Sequence, residues 1–120
     1  MLKTLRRTTM AEFNHEAIFC IINSGFSEAV MDAAKKHGAR GGTIINARGT
    51  ASKHAETFFH ITIEPEKEIV MILVPAEIKN NILNALYDEV GLDTDGQGIA
   101  FSMPVDGVVG LSSVQETKVE

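Results

Sequence analysis

Between His37 and Thr50 the chain reads HGARGGTIINARGT, and this run narrows the folds open to it more than any other. Four of the ten glycines and two arginines surround a short apolar segment, Thr43-Ile44-Ile45. A glycine after a helix suits a left-handed C′ position, and a glycine pair opening a strand suits close backbone approach. The run therefore predicts a helix end, a buried strand over residues 41–47, and a turn at Arg48-Gly49 that delivers the strand to the mouth of a site.

The flanking sequence supplies the partners of that strand. Residues 17–23, continuous, β-branched and aromatic, predict a first strand buried on both faces. Residues 26–37 predict a helix with Ser27 as N-cap, Phe26, Val30, Ala33 and Ala34 on the buried face, and Gly38 as the left-handed residue that ends it. Beyond a polar loop, residues 57–63 alternate as a strand, stopped by Glu64-Pro65-Glu66-Lys67. Residues 68–74 predict a further strand ended by Pro75. Ile78, Ile82, Leu83, Leu86 and Val90 repeat at helical spacing over residues 76–90, with Gly91 as the stop. A last strand is expected over residues 99–103, interrupted by Pro104, with residues 105–111 as a short edge segment.

Strand, helix, strand therefore occurs twice, and each helix can cross over between parallel neighbours, the two halves meeting through a hairpin over residues 41–74. The expectation is an α+β fold: a ferredoxin-like β-α-β-β-α-β sandwich, a four-stranded antiparallel sheet with both helices on one face. Its strands spare no polar face, so the bare side of the sheet would be more apolar than a monomer ordinarily tolerates, and a second copy is expected to cover it.

Composition bounds the function. With 120 residues, 44% hydrophobic and 22% charged, the chain has the make-up of one globular domain. It is divided into an N-terminal extension over 1–14, a domain over 15–112 and a polar tail over 113–120. A formal net charge of −5 argues against nucleic-acid binding, and no apolar run reaches membrane-spanning length. The single cysteine, Cys20, excludes an intrachain disulfide, reads as a core residue, and makes the cytoplasm the simplest compartment. No nucleophilic triad, phosphate-loop motif or HExxH is present, so catalysis is not expected.

Three segments together resemble the PII signal-transduction family, in its PII-like branch: Gly38–Gly49, the strand 69–75 (IVMILVP), and the loop Gly96-Gln97-Gly98 followed by Phe101. Their order and spacing agree over about residues 16–111. The resemblance implies a homotrimer of ferredoxin-like subunits that acts as a nitrogen-regulatory sensor and binds an adenine nucleotide in clefts between subunits. It implies that Thr43, Gly49, Gly96, Gln97 and Gly98 line the cleft, the glycines letting backbone N–H groups cradle phosphate; Arg48, a cation within the organising run, is the expected charge contact beside them. It also implies that the loop between residues 48 and 67, including Thr50, Ser52, Lys53, His54 and Glu56, meets a regulated partner such as a membrane transporter or an enzyme.

Departures qualify the ligand. Where the family carries a lysine after the glycine loop this chain has Ile99, and Gly110 and Ser112 stand about where it carries two arginines. Fewer cations favour AMP, ADP or another small adenine compound over ATP, and no cofactor is obligatory. The one tyrosine, Tyr87, falls on the second helix, so the family's loop tyrosine modification is not available. A second reading of the loop is a metal-binding trimer of the copper-tolerance type, with His54, Glu56 and His60 as nitrogen and oxygen ligands.

Overall fold

The structure, a computed structural model, describes residues 14–50, 65–95 and 97–111. In chain order its elements are β1 (His15–Asn23), α1 (Ser27–Lys36), β2 (Thr43–Arg48), β3 (Glu66–Pro75), α2 (Ala76–Glu89) and β4 (Gly98–Val105). The four strands form one sheet in the order β2-β3-β1-β4, with every neighbouring pair antiparallel. This is the expected ferredoxin-like arrangement, with one correction. The strands each helix joins run parallel but are not neighbours, because β3 lies between β1 and β2, and β1 lies between β3 and β4.

Register explains where the core sits. Residues directly opposite one another share a face, so Ile18 with Ile72 and Cys20 with Val70 point together to one side of the sheet. All four are fully buried, as are Ile22 and Val74 on the same strands. Val30, Ala33 and Ala34 of α1 and Ile82, Ala85 and Leu86 of α2 close this layer from above. Burial pushes the Cys20 thiol up to about 11, the behaviour of an inert core residue.

The opposite face is open. One row across it reads Ile45, Ile69, Ile21, Ile99, and the next reads Thr43, Met71, Phe19, Phe101. Phe19 and Phe101 stack with ring centroids 5.5 Å apart. Ile99 is 57% exposed, Met103 49% and Phe101 41%. Within one chain β1 is therefore buried on the helix side only, and the expectation of burial on both faces is met only if something covers this side.

Several element ends differ from expectation. The N-cap of α1 is Phe26, with no side-chain cap bond; Ser27 is the first helical residue and is buried, and Phe26 is exposed rather than part of the packed face. Gly38 does close α1 with φ +108°, its N–H donating to the Lys35 carbonyl at 3.1 Å. β2 begins at Thr43, two residues late, and β3 begins at Glu66, two residues early, so Glu66 and Lys67 are strand and not turn. β4 runs through Pro104, which it tolerates as an edge strand paired, among the described residues, only to β1. Residues 107–111 form no strand. The backbone leaves β2 and re-enters β3 at one point, where Gly49 N–H donates to the Pro65 carbonyl at 2.8 Å. The strand expected over residues 57–63 lies outside the described residues, as do the N-terminal extension through residue 13 and the tail from residue 112.

Candidate functional site

The strand directions bring the ends of β1 and β2 and the starts of β3 and β4 to one end of the sheet. Arg48, Gly49, Gln97 and Gly98 are therefore gathered there. Thr43 is not among them. It stands at the far end of β2, five residues or about 17 Å away along the strand. Gly96, Ser52, Lys53, His54, Glu56 and His60 lie outside the described residues, and Thr50 is exposed beside Gly49. Among the described residues no group of three or more His, Cys, Asp or Glu is placed to hold a metal ion.

At the shared end, Ser24, Asn46, Ala47, Arg48, Glu66 and Lys67 line a cavity of about 390 Å³. Lys67 lies over Gly49: a Cβ at Gly49 would sit 2.9 Å from Lys67 Cε. Glycine at this position thus makes room for the lysine stem. Lys67 Nζ donates to Asn23 Oδ1 at 2.6 Å. Asn23 Nδ2 in turn donates to Gln97 Oε1 at 2.9 Å, and Gln97 Nε2 donates to the Val90 carbonyl at 3.1 Å. Backbone bonds secure the same place, with Asn23 N–H donating to the Gln97 carbonyl at 3.3 Å and Gln97 N–H to the Thr94 carbonyl at 3.2 Å. Glu68 reaches the next turn, where its carboxylate accepts the Gly25 N–H at 3.1 Å.

At the other end of the sheet Thr43 lines a second cavity of about 470 Å³ with Arg40, Gly41, Gly42, Met71, Leu73 and Leu111 among its walls. It is largely apolar, with one guanidinium and one hydroxyl. Sequence alone points to Arg48 as the charge contact and passes over Arg40 and Lys67. Arg40 lies in the glycine-rich run itself, but nothing local marks it as lining a cavity. Lys67 reads locally as part of a turn, and only the pairing of Asn23 with Lys67 across β1 and β3 shows what it reaches.

The glycines divide by role. A Cβ at Gly98 would fall 2.5 Å from the Ile21 carbonyl oxygen and 3.1 Å from Ile22 Cα, so glycine there is required for β4 to pair with β1. A Cβ at Gly42 would meet the Met71 carbonyl at 2.9 Å, whereas one at Gly41 would meet nothing within 4 Å.

The family model described as Nitrogen regulatory protein P-II matches residues 15–114. The chain belongs to this family. P-II proteins are regulatory and not catalytic. Solved structures share the fold at low identity. PII from Arabidopsis thaliana bound to citrate aligns with a TM-score of 0.66 at 19% identity, over 86% of this chain and 88% of that one. CPII from Thiomonas intermedia, bound to ADP, AMP and acetate, aligns with a TM-score of 0.63 at 18% identity, over 85% and 94%. A PII-like signalling protein from Thermus thermophilus aligns with a TM-score of 0.59 at 20% identity, over 78% and 87%. Among curated proteins none matches this sequence. No helix among the described residues is long and apolar enough to cross a membrane.

Proposed function

We propose that this chain is a PII-like sensor acting in the cytoplasm as a homotrimer, in which residues 15–112 form the working domain. It binds a small adenine nucleotide in clefts between copies and signals through residues 48–67 to a protein partner, a transporter or an enzyme. The observation that carries this reading is the division of the expected site residues between the two ends of β2. Arg48, Gly49, Gln97 and Gly98 share one end and Thr43 lies at the other, so all five can meet one ligand only if Thr43 comes from a second copy. The open apolar face supplies a reason for such copies to associate, since its isoleucine and phenylalanine rows would otherwise remain in water.

The cavities also bear on ligand class. The polar cavity holds Arg48 and Lys67 together with the carboxylate of Glu66, and the apolar one holds Arg40. A base or ribose suits the apolar cavity with its threonine hydroxyl, and a short phosphate chain suits the polar one. Few cations oppose the charge of a triphosphate, which favours AMP or ADP over ATP. That CPII of Thiomonas intermedia binds ADP and AMP supports the same class for this chain.

Titration calorimetry with ATP, ADP, AMP and cyclic nucleotides tests the reading. AMP or ADP is expected to bind more tightly than ATP, and Arg48→Ala to weaken binding by about tenfold, the loss of one charge-assisted contact. Failure of every nucleotide to bind at millimolar concentration overturns it. Ligand addition is expected to protect residues 48–67 from proteolysis, as a loop ordered by its effector would be.

A further inference from the structure

Arg40 stands apart from the cations at the polar end of the sheet. With Gly41, Gly42 and Thr43 it borders the apolar cavity of about 470 Å³, whose other walls include Met71, Leu73 and Leu111. Among the described residues that line this cavity Arg40 carries the one charge, and no carboxylate is among them. The polar cavity differs, since there Glu66 accompanies Arg48 and Lys67. An anion in the polar cavity must lie beside a like charge; at Arg40 the cavity walls present none.

Gly41 adds an independent observation. Its φ is not in the left-handed region, and a Cβ built there would meet nothing within 4 Å. Neither conformation nor packing within the chain demands glycine at this position, although glycine loses more freedom on folding than any other residue. What the bare backbone does provide is room for something from outside the chain to come close beside Arg40. Gly42 is different, because the Met71 carbonyl excludes a side chain there.

In the arrangement proposed above, Thr43 of one copy and Arg48 of another meet the same ligand. Arg40 borders the same cavity as Thr43, so it arrives with it. The ligand then faces cations at two separate places, one at its phosphate chain and one at its nucleoside half. A base and an unmodified ribose offer the second of these no anion.

We infer that Arg40 is a specificity-determining residue, which selects an adenine nucleotide carrying a second phosphate on its ribose, at the 2′ or 3′ position. The oxygens of such a phosphate match the planar fork of a guanidinium, and the pair is stronger than a neutral hydrogen bond. Arg40 has another interaction within the protein. A guanidinium has several N–H donors, enough to keep that interaction and receive a phosphate as well. The open space at Gly41 is where the phosphate is accommodated. This inference rests on the nucleotide reading and adds to it the place on the ligand where the second charge lies.

Titration calorimetry on the full-length protein with AMP, ADP, adenosine 2′,5′-bisphosphate and adenosine 3′,5′-bisphosphate tests it. ADP is the decisive control, because it has as many phosphates as the bisphosphates but carries them all on the 5′ side. One of the bisphosphates is expected to bind about tenfold more tightly than AMP or ADP, the gain of one charge-assisted contact. Arg40→Gln is expected to abolish that gain while leaving AMP affinity within about twofold of the parent. Arg40→Lys is expected to keep part of it, since an ammonium retains the charge without the fork. Arg40 is exposed, so both variants are expected to keep the urea midpoint of the parent. A bisphosphate advantage that survives Arg40→Gln, or ADP binding as tightly as both bisphosphates, overturns the inference and leaves the nucleotide reading standing. Failure of all four ligands to bind at millimolar concentration overturns the nucleotide reading, and this inference with it.

Discussion

Glycines 98 and 41 separate two uses of the same residue. At Gly98 an added methyl would meet backbone atoms of β1, which have no rotamer to escape into, so Gly98→Ala is expected to destabilise the fold by about 1–3 kcal/mol. At Gly41 the space is open, and Gly41→Ala is expected to stay within about 0.5 kcal/mol of the parent. Urea denaturation midpoints, compared at unchanged m-values, distinguish the two, and equal losses would contradict the steric assignment. The sequence shows where glycines cluster but not what lies across from each. Gly96-Gln97-Gly98 reads as a ligand cradle or a tight turn from spacing alone, whereas Gly98 answers to a neighbour on β1 more than seventy residues earlier in the chain. Lys67, Asn23 and Gln97 are illegible as a unit for the same reason: their connection exists only once β1, β3 and β4 are in register.

The elements themselves are more legible, because helical periodicity is local. Ile82, Leu86 and Val90 announce the buried face of α2, and Val30, Ala33 and Ala34 that of α1. Strand neighbours are not announced in this way, since an apolar run says that a strand is buried and not which strand lies beside it. Pro104 shows the limit clearly. A missing N–H breaks a strand only when a partner waits on that side, and β4 has none there among the described residues. The two helices are joined at their C-terminal ends by an exposed ion pair, Lys36 Nζ to Glu89 at 3.1 Å, with His37 Nε2 3.6 Å from the same carboxylate. The hydrogen bond from Lys36 holds the Glu89 carboxyl below its ordinary value of 4.5. A carboxyl whose folded pKa is depressed contributes stability above its unfolded pKa and loses it as pH falls through the folded one. Glu89→Gln is therefore expected to lower the denaturation midpoint near neutrality by a small amount, with the gap closing as acid is added below pH 4.5. A gap independent of pH would show that the pair contributes nothing through charge.

For the whole molecule the decisive surface is the open face of the sheet. Phe101→Glu places a carboxylate beside Phe19 at the β4 end of the apolar rows, and burial of that charge in an assembly would cost several kcal/mol. Light scattering is expected to give three times the 13.0 kDa chain mass for the parent and the mass of a single chain for the variant. An unchanged trimer in Phe101→Glu would mean that copies meet through another face. The closure between Gly49 and Pro65 carries a different implication, one for how such a protein diversifies. A 2.8 Å backbone bond pins the two ends of the intervening segment to each other. Doubling a loop costs only about 0.6 kcal/mol in closure entropy. The segment can therefore be lengthened or replaced at little cost to the sheet. If the segment meets the partner as proposed, a lineage can acquire new partners at this address without rebuilding the sheet, and grafting a foreign segment between Gly49 and Pro65 is the way to retarget it.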